Sequence, residues 1–271
     1  MKTRTFSAPI LMALLLSIVL LGCSTVPITG RRQLLLNSDA DLAAMSSDQY
    51  GKTLQESTLS QDAQQVALVC KVGERLAAAT EAYLSEIGYP TDSYAWEFNV
   101  IVEDETANAW CMPGGKVAVF TGILPLTQDE TGLAVVMGHE IAHAIANHGN
   151  ERMSEAMILQ GLGAGLSVAL SEQPAATQNI FLQSYGAISQ VGVMLPHSRK
   201  HELEADRIGL SLMARAGYDP RAAVPFWQRM QEASGGQRPP AFLSTHPVPE
   251  NRIAQIQELL PEALALYRPG S

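Results

Sequence analysis

The stretch His139-Glu140-Ile141-Ala142-His143 decides how the rest of this chain reads. Two imidazoles four residues apart on a helix lie one turn apart on the same face and can grip a single divalent ion. The glutamate after the first histidine then stands beside that ion, placed to act as a general base toward water. The spacing proposes metal-assisted hydrolysis of peptides, with zinc as the metal. The flanks support a helix over residues 130–147, where Leu133, Val136, Met137, Ile141 and Ala144 make an apolar stripe. An apolar helix that carries two histidines and a glutamate must account for burying them, and a bound divalent cation accounts for all three.

The start of the chain reads as a targeting segment. Lys2 and Arg4 precede an apolar run over residues 10–21, of signal-peptide length and short for a bilayer span. The run ends in Leu20-Leu21-Gly22-Cys23, which resembles the bacterial lipobox, where cleavage leaves Cys23 as a lipidated N-terminus. An ordinary signal peptide or an uncleaved anchor is the alternative. Ser24 in place of aspartate resembles lipoproteins sent to the bacterial outer membrane, on its periplasmic face. The expected organisation is a leader over 1–22, a lipidated start and linker over 23–37 with Pro27, Gly30 and Arg31-Arg32, and one catalytic domain over 38–271. The formal net charge is −9 and no basic stripe is present, which argues against nucleic acid as a partner. Cys70 and Cys111 remain after Cys23 and can be either a disulfide or two buried thiols.

Helices are expected from a cap at Ser38-Asp39 to about residue 56 and from Ser60-Gln61-Asp62 over 63–85. Trp96, Phe98, Val100 and Val102 alternate as a strand, and residues 116–121 read as a second, with a turn-rich segment between them. From Thr127 onward the chain reads as helical: the metal helix ends near His148, and further helices cover 151–170, 176–193, 199–216 and 220–233. Residues 234–249 read as loop, and a last helix covers 251–260.

Two histidines leave a catalytic zinc short of a third protein ligand. His148 would serve in a pattern with glycine at 146 and histidine at 149, but Ala146 and Gly149 stand there. His148 is instead expected at a helix C-terminus, where partial positive charge is favourable. Glu202 is the better third ligand, because Asp206 lies four residues on along the same helix face and can orient a ligating histidine. Glu204 points to the other side and is expected to face solvent, and His201 lies about 100° around the helix from Glu202.

His139-Glu140-Ile141-Ala142-His143, followed by Ser198-Arg199 and Glu202-Leu203-Glu204-Ala205-Asp206, resembles the gluzincin peptidases of metallopeptidase family forty-eight, nearest to its short periplasmic lipoprotein members. Asn108-Ala109-Trp110 with Pro113-Gly114-Gly115, and Thr245-His246-Pro247 with Glu250-Asn251-Arg252, are similar to further segments of that family. The resemblance covers roughly residues 40–260. It implies a mixed α+β, mostly helical zincin-like domain with a small β-sheet beside the metal helix. It implies one Zn²⁺ per chain on His139, His143 and Glu202, Glu140 as the base, Asp206 behind the ligands, and His246 and Arg252 as oxyanion donors. Asn108 and Ala109 would pair with an extended peptide, and misassembled outer-membrane or periplasmic proteins would be the substrates. Membrane attachment would be through lipid on Cys23. From chemistry alone, His246 on a Gly/Pro loop can also swing onto the zinc and block the water position. A chaperone or assembly factor with a structural metal, and a zinc enzyme acting on something other than peptides, are the other classes consistent with these residues.

Overall fold

The computed structural model describes residues 23–163, 198–235, 240–246 and 251–269. The expected leader over 1–22, the helix over 176–193, and Pro247 and Glu250 of the C-terminal motif lie outside them. An antiparallel pair, β1 (Cys23–Thr25) and β2 (Arg32–Leu34), is followed by α1 (Asp39–Glu56) and α2 (Ala63–Glu86). A sheet of β3 (Glu97–Ile101), β4 (Ala109–Met112) and β5 (Lys116–Phe120) comes next, in the order β3-β5-β4. The short α3 (Leu124–Thr127), the central α4 (Glu130–Ile145) and α5 (His148–Gly163) follow. The rest is α6 (Arg199–Arg215), α7 (Ala223–Ser234), the short α8 (Phe242–Thr245) and α9 (Arg252–Leu266). The expected mixed, mostly helical architecture is what forms.

The helices begin where side chains can satisfy orphan backbone donors. Ser38 accepts from the Asp41 amide, Asp62 from Gln64 and Gln65, Asp129 from Gly132, and Ser198 from His201. In the sheet, β5 lies parallel to β3 and antiparallel to β4. Its side chains alternate between two cores: Val117 and Val119 join the main core with α2 and α4, while Ala118 and Phe120 meet Tyr50, Trp110 and Met112 beneath α1. A strand buried on both faces reads as a continuous apolar run. The segment between the two expected strands is more than a turn: it holds β4, and Gly114 and Gly115 close the β4–β5 hairpin at φ 80° and 82°, a conformation that favours glycine.

The segment 23–37, expected as a linker, folds onto the domain. Val26 is fully buried, and Arg31 pairs with Glu151 and Glu204. Cys70 and Cys111 are both free thiols, which settles the alternative left open above.

Helix α4 is buried at every residue from Gly132 to Ile145, so it is the axis of the core rather than a one-sided surface helix. Helix α6 crosses it where Gly138 and Gly209 meet. A Cβ on Gly209 would lie 3.0 Å from the Gly138 and His139 backbone, and one on Gly138 would lie 3.2 Å from the Gly209 carbonyl. Glycine lets the two backbones touch. Gly209→Val should therefore force the helices apart and lower unfolding stability by about 1–3 kcal/mol, as overpacking does. Urea denaturation of the variant checks this, and a midpoint equal to that of the unmodified protein would refute the close-contact argument.

Candidate metal centre

The α4–α6 crossing brings together residues that the sequence keeps 60 positions apart. His139 and His143 sit one turn apart on α4, their rings edge to face and their Nε2 atoms 3.0 Å apart. From α6, Glu202 places Oε2 3.4 Å from His139 Nε2 and Oε1 3.4 Å from His143 Nε2. His246, just after α8, puts Nδ1 3.3 Å from His139 Nε2 and 3.1 Å from Glu202 Oε1. All four residues are buried. A tetrahedral zinc site with bonds of roughly 2.0–2.1 Å has edges of about 3.3 Å, and the donor pairs named here lie between 3.0 and 3.4 Å apart. Imidazole nitrogens cannot face one another this closely as bare lone pairs; a cation between them removes the conflict.

The charges agree. Burial opposes a positive His139, but hydrogen bonds to Asp206 and Glu202 outweigh it and raise the ring to about 9. Burial would raise Glu202, yet the facing imidazoles of His246, His139 and His143 hold it well below the usual carboxylate range. The pocket is thus built to hold positive charge, and a dication fits the same field. Glu140 differs. Burial pushes its carboxyl up, against the pull of His246 and His139. Its Oε1 lies 3.4 Å from His246 Nε2 and makes no hydrogen bond among the described residues.

Asp206 accepts from His139, with Oδ1 3.0 Å from Nδ1, which fixes Nδ1 as the protonated nitrogen and turns Nε2 toward the cluster. Arg252 was expected among the oxyanion donors. The structure commits it elsewhere: Nε and Nη2 donate to Asp206 at 2.8 and 2.7 Å, Nη1 donates to Glu202 at 3.1 Å, and the guanidinium lies 3.4 Å over the Trp227 ring. It is 1 % exposed and braces the carboxylates.

Two residues near the cluster differ from expectation. Glu204 does not face solvent: it is buried against His148, Thr29 and Arg31. Burial alone would raise its carboxyl, but hydrogen bonds from those three hold it at about 2. His148 does not end the metal helix. Asn147, at φ 56°, breaks α4 from α5, and His148 opens α5 fully buried. Burial lowers its ring to about 4, so it stays neutral. The helical period cannot reveal either residue, because their partners come from other segments. Ala109 opens the edge strand β4, with Asn108 just before it; the Asn108 carbonyl accepts from Phe120, and Ala107 accepts from the Phe242 amide at the start of α8. Cys23 is exposed at the start of β1, and no part of the cluster.

A glutamate set between two histidines on one helix, crossed by a second helix that supplies a carboxylate, is the arrangement of the gluzincin peptidases, for which zinc is the metal. The profile of peptidase family M48 matches residues 71–260, and the chain belongs to that family. It is 45% identical to the mitochondrial metalloendopeptidase OMA1 of Schizosaccharomyces pombe over 171 residues, 62% of this chain and 48% of that protein. With the mitochondrial metalloendopeptidase OMA1 of Homo sapiens it shares 33% over 245 residues, 89% of this chain and 46% of the other. With the β-barrel assembly-enhancing protease of Escherichia coli it shares 32% over 182 residues, 64% and 37%. The chain spans half or less of the length of these relatives. The expected bacterial outer-membrane location is corrected by the same comparisons: the yeast, plant and animal relatives are mitochondrial by name, and the lipobox pattern does not outweigh them.

Proposed function

We propose that the protein is a zinc-dependent endopeptidase in which His139, His143 and Glu202 hold the metal and Glu140 is the general base. The observation that carries this is the Glu140 carboxylate, buried, raised and, among the described residues, without a hydrogen bond at Oε1, beside a buried four-donor cluster. Zinc, when bound, supplies a Lewis acid for the scissile carbonyl and makes water easier to deprotonate. The protein's own groups do the rest. Glu140 takes a proton from water and returns it to the leaving amine, and its raised pKa suits that exchange. Asp206 holds the His139 tautomer, and Arg252 keeps Asp206 and Glu202 from repelling each other. The place of β4 at the edge of the described sheet, with Asn108 just before it and Ala109 at its start, supports pairing with an extended peptide by strand addition.

His246 Nδ1 completes the four donors, so in this state it holds the position that water needs. Its segment is tied to Ala107 at the entry to the edge strand. We read His246 as a resting-state ligand that substrate displaces, and as an oxyanion donor once displaced.

Misfolded or misassembled membrane proteins are the substrate class we favour. Two relatives, from Vibrio cholerae and Escherichia coli, are named for β-barrel assembly, which supports this. The same names favour the second reading, an assembly factor with auxiliary protease activity. Among the described residues no helix is long and apolar enough to cross a membrane. Membrane attachment is assigned to lipid on Cys23, supported by its exposure.

Glu140→Gln should keep full zinc and lose peptide hydrolysis by on the order of a hundredfold or more. Zinc content and turnover measured on one sample check this, and near-normal turnover at full zinc would sink the assignment. His246→Ala tests the two roles of that residue through their opposite signs. Loss of a resting ligand weakens zinc binding and raises turnover of a flexible peptide, whereas loss of an oxyanion donor lowers kcat by roughly a hundredfold with zinc affinity kept. Unchanged rate and unchanged affinity would leave His246 without either role. For the N-terminus, mass spectrometry of the membrane-extracted protein should find a lipidated Cys23; an unmodified start at Met1 would refute the lipid anchor.

A further inference from the structure

His143 offers Nε2 to the cluster, and its other ring nitrogen does not face water. Nδ1 lies 2.8 Å from Nδ1 of His148, and the two rings meet edge to face. Two ring nitrogens at that distance share one proton. If His143 gives its Nε2 lone pair to a cation, its proton sits on Nδ1 and is donated to His148. His148 then accepts at Nδ1 and must carry its own proton on Nε2. That nitrogen lies 3.0 Å from Glu204 Oε2. Each hydrogen bond fixes the next tautomer, and the chain ends on a carboxylate.

The carboxylate is itself held. Arg31 donates Nε to Glu204 at 2.6 Å, and Thr29 donates its hydroxyl. The two remaining nitrogens of Arg31 grip Glu151 at 2.8 and 2.6 Å. Glu151 pairs with His201 Nε2 at 3.0 Å, and the His201 ring stacks on His148 with centroids 4.4 Å apart. His148 is therefore pinned at both nitrogens and on one face. The arrangement repeats, with one extra imidazole, what Asp206 and Arg252 do for His139.

We infer that His148 and Glu204 are positioning residues for the metal: they fix the tautomer and aim of His143 and strengthen its hold on zinc, with Arg31 clamping the carboxylate from the N-terminal hairpin. A carboxylate behind a ligating imidazole raises its basicity, and an intervening histidine passes that polarisation on. The inference rests on the metal-site reading above.

The test uses the full chain, with zinc affinity read by chelator competition and the cobalt-substituted protein read by visible absorption. His148→Phe keeps a ring against His201 but cannot accept from His143. It should weaken zinc binding by roughly ten- to a hundredfold and shift the cobalt bands. His148→Gln, whose amide can both accept and donate, should recover part of that loss. Glu204→Gln should lie between His148→Phe and the unmodified protein. A folded His148→Phe with unchanged affinity and cobalt spectrum would overturn the inference, as would equal losses in His148→Phe and His148→Gln, the mark of a structural role only. If His148→Phe does not fold, unchanged affinity in Glu204→Gln overturns it. Unmodified protein that binds no zinc overturns the metal-site reading and the inference together; unmodified protein that binds zinc, beside insensitive variants, overturns the inference alone.

Discussion

The contact between Gly138 and Gly209 sets the scale of everything around it. Helices ordinarily pack with axes about 8–10 Å apart, set by the side chains between them. Here no side chain intervenes, and the α4 backbone meets the α6 backbone directly. One residue from Gly138 stands His139, and three residues before Gly209 stands Asp206. The short approach lets a two-carbon side chain such as Asp206 reach the far nitrogen of His139, and lets Glu202 span both histidines. A longer separation would break the Asp206–His139 contact and those of Glu202 with both histidines inside a buried site, where lost partners are costly. The packing contact and the site chemistry are one constraint.

Charge is the second constraint. Glu140, Glu202 and Asp206 converge in a buried space, facing His139, His143 and His246. Arg252 neutralises part of the deficit through Asp206 and Glu202, and Trp227 receives its other face. What remains is satisfied by positive charge between the imidazoles. Metal binding and folding are then coupled, since the donors are assembled only in the folded chain.

Much of this was legible in the sequence because it is local. His139, Glu140 and His143 share one helix, and Glu202 and Asp206 share another at a spacing of one turn. The caps at Ser38 and Asp62 are written in short polar stretches. What the sequence hid is tertiary. β4 is four residues followed by Pro113-Gly114-Gly115, and only its pairing with β5 makes it a strand. Glu204 looks exposed on a helical wheel drawn for α6 alone. Its partners are Arg31, 173 residues away, and His148, 56 residues away. The stretch carrying Arg31 has linker composition, yet Val26 anchors it in the core. The N-terminal pattern pointed to the bacterial outer membrane, and the mitochondrial relatives point elsewhere; a short apolar run ending in cysteine says less about location than 171 aligned residues.

The two histidines on α4 are thus supported from opposite ends of the chain. His139 leans on Asp206 and, through it, on Arg252 of the last helix; His143 leans on His148 and Glu204 and, through them, on Arg31 of the first hairpin. Neither support is complete until a segment distant in sequence has docked. A ligand pair four residues apart would form in any helix, even an isolated one. A pair with fixed tautomers and aligned lone pairs forms only when the β1–β2 hairpin and α9 are in place, so the site's readiness for metal reports the docking of both.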